Sequence, residues 1–258
     1  MRKTVRIIAI FLLTILLAAA AQAKQPDVLY QYSTLEALLA GVYDGEKTFA
    51  HLAKRGDLGL GTFNALDGEM VALDGKFYQV RADGKVLQAA PDWKTPFANL
   101  VFFRPERRIN IDKPLDLNAL QALMDKQLPS KNLFYAFRIS GLFSRIKTRS
   151  VPAQKPPYPP LVAVVKHQSV WNFENINGDV VGFRFPPYVK GLNVTGYHLH
   201  FLDKTRQKGG HLLDGAAAKV VVEIDCLHGM KLELPQKGAF LKTRLGKDTS
   251  KAVHKVEK

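Results

Sequence analysis

Apolar and polar positions repeat with different periods along the chain, and each period names an element. In "STLEALLAG" (33–41) and the next residue, Leu35, Leu38, Leu39 and Val42 fall on one helical face, with Ser33 and Glu36 at capping-box spacing and Gly41 near the end. A second short helix is expected over 46–54, stopped at Gly56. The period then drops. Between 57 and 88, short apolar segments are separated by Asp-Gly pairs at 67–68, 74–75 and 83–84, which is the sequence of a β-meander. Helical spacing returns from Asp116 to Gln127, with Leu117, Leu120, Leu123 and Met124 inward and Pro129 beyond the end. "NLFYAFRISGLFSRIKTRSV" (132–151) reads as two strands turning at Ser140-Gly141.

"VPAQKPPYPP" (151–160) holds five prolines and excludes both helix and inner strand, so it reads as a boundary or rigid crossover. Beyond it the pattern restarts. "LVAVVKHQ" is a short helix, "FENINGDVVGFRFP" a hairpin, and "NVTGYHLHFL", "GGHLLDGAAAKVVVEIDCL" and "MKLELP" are strands. "NALDGEMVAL" (64–73) and "NINGDVVGF" (175–183) share an Asn, a turn Gly, an acid and a valine. Together these features predict an α+β protein: two similar α/β-type domains with mixed, mostly antiparallel sheets and a few helices. The N-terminal domain would span 24–150 and the C-terminal, metal-binding one 161–258, joined by the proline-rich linker.

Composition changes this picture at the ends. Arg2, Lys3 and Arg6 precede an apolar run from Ile7 to about Ala21, and Ala21-Gln22-Ala23 is a small-residue cleavage pattern. That is the layout of a secretory signal peptide over 1–23. The mature chain is therefore expected to be exported, to the periplasm or the medium, without a stable membrane anchor. A spanning helix is the competing reading, since the run approaches the roughly 20 residues a bilayer crossing needs. The formal charge is +14, and loss of the three basic residues at the head leaves +11. Lysines and arginines are scattered, densest in the tail "KTRLGKDTSKAVHKVEK", which reads as solvated, so no nucleic-acid partner is expected. A single cysteine, Cys226 in "KVVVEIDCL", excludes an intrachain disulfide and reads as a small buried side chain.

The chemistry concentrates in "GYHLHFLDKTRQKGGHLLD" (196–214). Alternate residues of a strand share a face, so His198 and His200 point the same way with Cα atoms about 6.6 Å apart. The polar, glycine-rich "DKTRQKGG" would turn the chain and bring His211 back beside them. Three neutral imidazoles on one side of an ion, with the other side open, form a catalytic rather than a structural metal site. Imidazole suits zinc, copper, nickel and iron, and no cysteine competes. An ordinary polar hairpin is the alternative. A cupin site also uses His-x-His, but Lys204 and Thr205 stand where its glutamate belongs. His51, His167, His228 and His254 have no comparable context.

Several stretches in order, from about residue 30 to about 235, resemble one family, the α-acetolactate decarboxylases. They include "YQYSTLEALLAGVYDG", "GDLGLGTFNALDGEMVALDGKFYQVRADG", "LPSKNLFYAFRISGLF", "KTRSVPAQKPPYPPL", "GDVVGFRFP" and the histidine segment. The resemblance implies two α+β domains and a zinc ion held by His198, His200 and His211. It also implies decarboxylation of 2-acetolactate, a small 2-hydroxy-3-oxo acid, to acetoin. It places the family's active-site threonine and glutamate on Thr62 and Glu69, and its arginine on Arg149. The residues alone do not choose these, because Glu69 is simply an acid after a turn glycine, and Arg138 and Arg145 stand in the same strand pair. The family sets a second glutamate, from the tail, over the metal. Glu257 in "HKVEK" is the glutamate that follows Glu233, and a disordered charged end is its competing reading.

The expected chemistry follows. Loss of carbon dioxide leaves an electron pair beside a ketone, an enediolate that a metal with an open face stabilises as the charge develops. Glu69, protonated through burial or through Glu257 nearby, would deliver a proton to carbon. Arg149 would orient substrate oxygens or support the enediolate, and Thr62 would supply a supporting hydrogen bond. No pyridoxal or thiamine is required. A homodimer is one assembly left open. The reading from another class is an exported metal-binding or structural module that kept the fold without decarboxylase activity.

Overall fold

The computed structural model describes residues 27–257, and the expected signal peptide lies outside them. Strand β1 (Val28–Tyr32) is followed by helix α1 (Leu35–Leu39), the two-residue β2 (Lys47–Thr48) and the one-turn α2 (Phe49–Leu52). The meander comes next as β3 (Leu58–Thr62), β4 (Glu69–Leu73), β5 (Lys76–Val80) and β6 (Val86–Gln88). It leads to β7 (Lys94–Thr95), β8 (Ala98–Val101), β9 (Arg107–Ile111) and β10 (Leu115–Asp116). Helix α3 (Leu117–Gln127) precedes the long β11 (Phe134–Ser150), then the short α4 (Leu161–Val164) and the equally long β12 (Ser169–Phe185). Strands β13 (Gly196–Asp203), β14 (Gly209–Leu227) and β15 (Gly229–Glu233) follow, and α5 (Ser250–Val256) ends just before Glu257.

Among the described residues, two large sheets carry an α+β fold. The first has the order β15-β1-β8-β3-β4-β5-β6 and is antiparallel except for the parallel β1–β15 pair. The second has the order β10-β14-β11-β12-β13, with β9 on β14. Its last strand, β13, pairs again with the start of β14, so β11 to β14 close on themselves. The sheets do not divide at the proline run. β11, which precedes it, pairs along both edges with β12 and β14, which follow it. A 17-residue strand exposes many backbone donors and acceptors, and both neighbours are needed to satisfy them.

Three local expectations are corrected. Ser140-Gly141 is not a turn, because β11 runs through it. A Cβ on Gly141 would lie 2.3 Å from the Lys219 carbonyl oxygen, so this glycine permits close approach of β14. The segment "FENINGDVVGFRFP" is likewise no hairpin, because all of it but the final Pro186 runs as one continuous strand within β12. A Cβ on Gly178 would meet the Leu202 carbonyl oxygen at 2.6 Å, so that glycine also marks a tight neighbour. Finally, Thr34 rather than Ser33 caps α1, accepting from Ala37 N–H at 3.2 Å.

The packing explains where a site can form. Leu58, Leu60, Val71 and Val80 of the first sheet meet Ala136, Val181, Phe183 and Leu202 of the second in one apolar layer. On β13 the side chains alternate: Tyr197, Leu199 and Phe201 enter the core beneath α3, whereas Leu202 belongs to the layer between the sheets. His198 and His200 share the face of Leu202. They therefore point at the first sheet.

Candidate metal centre

His200 and His211 are direct partners across β13 and β14, and His211 is in turn the partner of Arg149 on β11. Three adjacent strands thus deliver His198, His200, His211 and Arg149 to one place. The first sheet supplies the rest: Thr62 ends β3 and Glu69 begins β4, and the two are register partners. The turn between them needs unusual backbone. Ala65 and Leu66 have positive φ, and a Cβ on Gly68 (φ +87) would lie 2.3 Å from the Val80 carbonyl oxygen. Thr62 Oγ1 donates to the Gly68 carbonyl at 2.6 Å and so fixes the residue just before Glu69.

One ligand atom from each of the three histidines lies within 4.8 Å of the others. The rings are only 8%, 1% and 2% exposed for His198, His200 and His211. Nδ1 of His200 lies 2.8 Å from the Met70 carbonyl oxygen. A carbonyl only accepts, so this nitrogen carries the proton and Nε2 keeps a free lone pair. That Nε2 is buried without a hydrogen-bond partner, as is Nδ1 of both His198 and His211. Burial drives the His198 pKa down to about 3, helped by the Arg149 charge. Burial also takes His200 and His211 well below the usual range, with Arg149 and the neighbouring histidines adding to it. Neutral, converging and unpartnered imidazoles are what a divalent ion requires, so the residues fit the metal that the sequence resemblance implies.

Two carboxylates face this cluster. Glu69 Oε2 lies 3.6 Å from His200 Nε2, and Glu257 Oε2 lies 3.9 and 3.7 Å from Nε2 of His198 and His211. Arg149 bonds one of them and the backbone just before the other. Its Nη1 donates to Glu69 Oε1 at 2.7 Å and its Nη2 to the Val256 carbonyl at 3.1 Å. Its Nε is buried with no partner. Burial raises the Glu69 pKa to about 7, against the opposing pull of Arg149 and with a further push from Glu257. Burial likewise raises Glu257 to about 7, again against Arg149. The seven residues singled out from the sequence therefore form one cluster, with Thr62 supporting the turn behind Glu69. Arg138 and Arg145, equal candidates by sequence, lie elsewhere, bonded to Asp179 and Asp74 and to Asp214.

Sequence reasoning missed the backbone contributors. The carbonyls of Met70 and Val256 orient His200 and Arg149, yet any residue could supply them, so no side-chain signal marks those positions.

Comparison with known proteins settles the lineage. The profile of the alpha-acetolactate decarboxylase family matches residues 29–247. The chain belongs to that family. A protein of Methylococcus capsulatus named alpha-acetolactate decarboxylase is 48% identical over 228 residues, covering 88% of each chain. One of the same name from Methanosarcina mazei is 46% identical over 232 residues, covering 90% of this chain and 81% of its own. The crystal structure of alpha-acetolactate decarboxylase from Bacillus subtilis strain 168 superposes with a TM-score of 0.87 at 41% identity, covering 89% of this chain and 98% of that one. Glu257 lies beyond the residues matched by the family profile.

Proposed function

We propose that the protein is a metal-dependent carboxy-lyase that converts 2-acetolactate to acetoin. The observation that carries this reading is the burial of three clustered histidines, each with one unpartnered ring nitrogen, facing Glu69 and Glu257, with Arg149 bonded to Glu69 and to the carbonyl just before Glu257. Family membership supplies the substrate class.

His198, His200 and His211 would hold a divalent ion, with zinc the best match to three imidazoles and an open face. When bound, the ion supplies electrostatic stabilisation for the charge that develops on the substrate's hydroxyl and ketone oxygens. The chain's own groups do the rest. Loss of carbon dioxide leaves an electron pair on carbon, and the resulting enediolate needs one proton at that carbon to become acetoin. Glu69 is placed to deliver it. Arg149 occupies Oε1, which leaves Oε2 turned toward the histidines as the oxygen that carries the proton. Its raised pKa keeps a protonated fraction near neutral pH.

Arg149 has both terminal nitrogens engaged by Glu69 and the Val256 carbonyl, so it is read as orienting substrate oxygens rather than anchoring the departing carboxylate. Its unpartnered Nε is one donor available to a substrate oxygen. Such an arrangement avoids stabilising the ground state more than the transition state. Glu257 lies against His198 and His211 and is the second carboxylate that favours a proton on Glu69.

The test is acetoin formation from racemic 2-acetolactate, with metal content measured on the same sample. A metal-loaded protein without turnover would favour a binding module instead. We also take residues 1–23 to be an export signal, on the strength of their basic head, apolar run and Ala-Gln-Ala ending. Mass spectrometry of the mature protein should find Lys24 at its N-terminus.

A further inference from the structure

Two cavities meet at Glu257. The smaller, about 40 Å³, is bounded by Thr62, Glu69, Arg149, His198, His200 and Val256. It has room for only a few waters. The larger, about 560 Å³, lies between α3 and α5 and reaches His211 and Glu257, with the exposed side chains of Asn118, Lys190 and His254 in its lining. A hydroxy-keto acid of five carbons and four oxygens does not fit the first cavity. Between the two cavities stands the end of α5, where Val256 is 3% exposed and Glu257 lies against His198 and His211.

The tail is fastened at both ends. Its tip is caught by Arg149, through the Val256 carbonyl. Its root is caught by Glu36 on α1, whose Oε1 accepts from the backbone N–H groups of Gly246 at 2.8 Å and Lys247 at 2.7 Å. Lys190 and Asp248 add an ion pair at 3.0 Å beside this point. Gly246 has φ +95, a conformation suited to glycine, so the chain bends sharply where Glu36 holds it. Glu36 is also tied to the wall of the larger cavity, since its own N–H donates to the Gly191 carbonyl at 3.1 Å. Its helix neighbours Leu35 and Leu38 line the smaller cavity. Glu36 thus joins the wall of the larger cavity through its backbone and the tail through its side chain.

We propose that Glu36 is a positioning residue that anchors the root of a strap, residues 246–257, whose tip swings aside to admit substrate and closes again over the histidines. This rests on the decarboxylase reading for its catalytic consequence. Two hydrogen bonds from backbone N–H groups to one carboxylate oxygen keep the released tip close to the site. Reclosure is then a local event rather than the recapture of a loose chain end.

The experiment uses the zinc-loaded full chain with Glu36→Ala and Glu36→Asp. Hydrogen exchange of the amides in 246–257 is measured beside kcat, KM and zinc content. In Glu36→Ala, exchange in this segment should rise about tenfold or more. Amides of β13 and β14 should keep their protection and zinc its occupancy, while kcat falls more than KM changes. Glu36→Asp, which keeps the charge, should recover part of both effects. Unchanged exchange in 246–257 would overturn the proposal. So would faster exchange throughout the molecule or loss of zinc, because Glu36 would then be a general stabiliser. A wild-type protein that makes no acetoin, but whose tail still responds to Glu36→Ala, would overturn the decarboxylase reading and leave the anchor intact.

Discussion

His198 and His211 sit within 4 Å of Glu257, yet the molecule holds the histidines and the glutamate in opposite ways. The histidines stand on β13 and β14, each laddered to strands on either side. A Cβ on Gly182 would lie 2.1 Å from the His198 carbonyl oxygen, so even the opposite strand is pressed against this region. Glu257 instead follows a seven-residue helix, in a tail whose polar ties to the rest of the molecule include Arg149 at the tip and Glu36 and Lys190 at the root. The first region is held by strand ladders, and the second by ties at its two ends. Metal binding should belong to the sheet, and turnover to the sheet and tail together.

The largest effect should come from the sheet. His200→Ala should lose bound metal and acetoin formation together, with at least a thousandfold loss in kcat/KM if the ion supplies several kcal/mol. Metal analysis beside a turnover assay checks it, and metal retained at full occupancy would remove His200 from the ligand set. Next, Glu69→Gln should keep the metal but lower kcat by roughly 10²- to 10⁴-fold, the usual contribution of a placed proton donor. Full turnover in that variant would end its proton role. Truncation after Lys255 attacks only the tail. It should leave metal content unchanged and reduce turnover by about 10- to 100-fold, as for groups that support a metal site from outside its ligands. Unchanged activity would make Glu257 a bystander. The smallest effect is expected from Asp74→Ala, far from both regions. It removes an exposed partner of Arg138 and should shift the unfolding free energy by about 0–1 kcal/mol without altering metal content.

The same contrast explains what could be read from the sequence. His198 and His200 were legible because strand alternation gives them one face, and His211 because a glycine-rich turn returns the chain. The turns at Asp67-Gly68, Asp74-Gly75 and Asp83-Gly84 were legible for a similar reason, since each falls where the backbone needs a positive-φ glycine. Gly141 and Gly178 misled, because a glycine that yields to a neighbouring backbone looks in sequence like a glycine that turns. Sequence alone could not choose Arg149 over Arg138 and Arg145. The choice is made by register, which sets Arg149 beside His211 and sends the other two to surface aspartates. Glu257 was the least legible of all. Its place depends on a carbonyl of Val256 and on Glu36, more than 200 residues away, and neither leaves a pattern near "HKVEK".

The most direct measurement is the rate of acetoin formation from racemic 2-acetolactate at graded metal occupancy. The protein is stripped by chelation and then restored with zinc, with ion content determined on each sample. Turnover should vanish in the stripped protein and rise in proportion to occupancy, reaching its limit at one ion per chain. Full decarboxylation by metal-free protein, or a rate indifferent to occupancy, would contradict the assignment of His198, His200 and His211 as the metal-holding half of the active site.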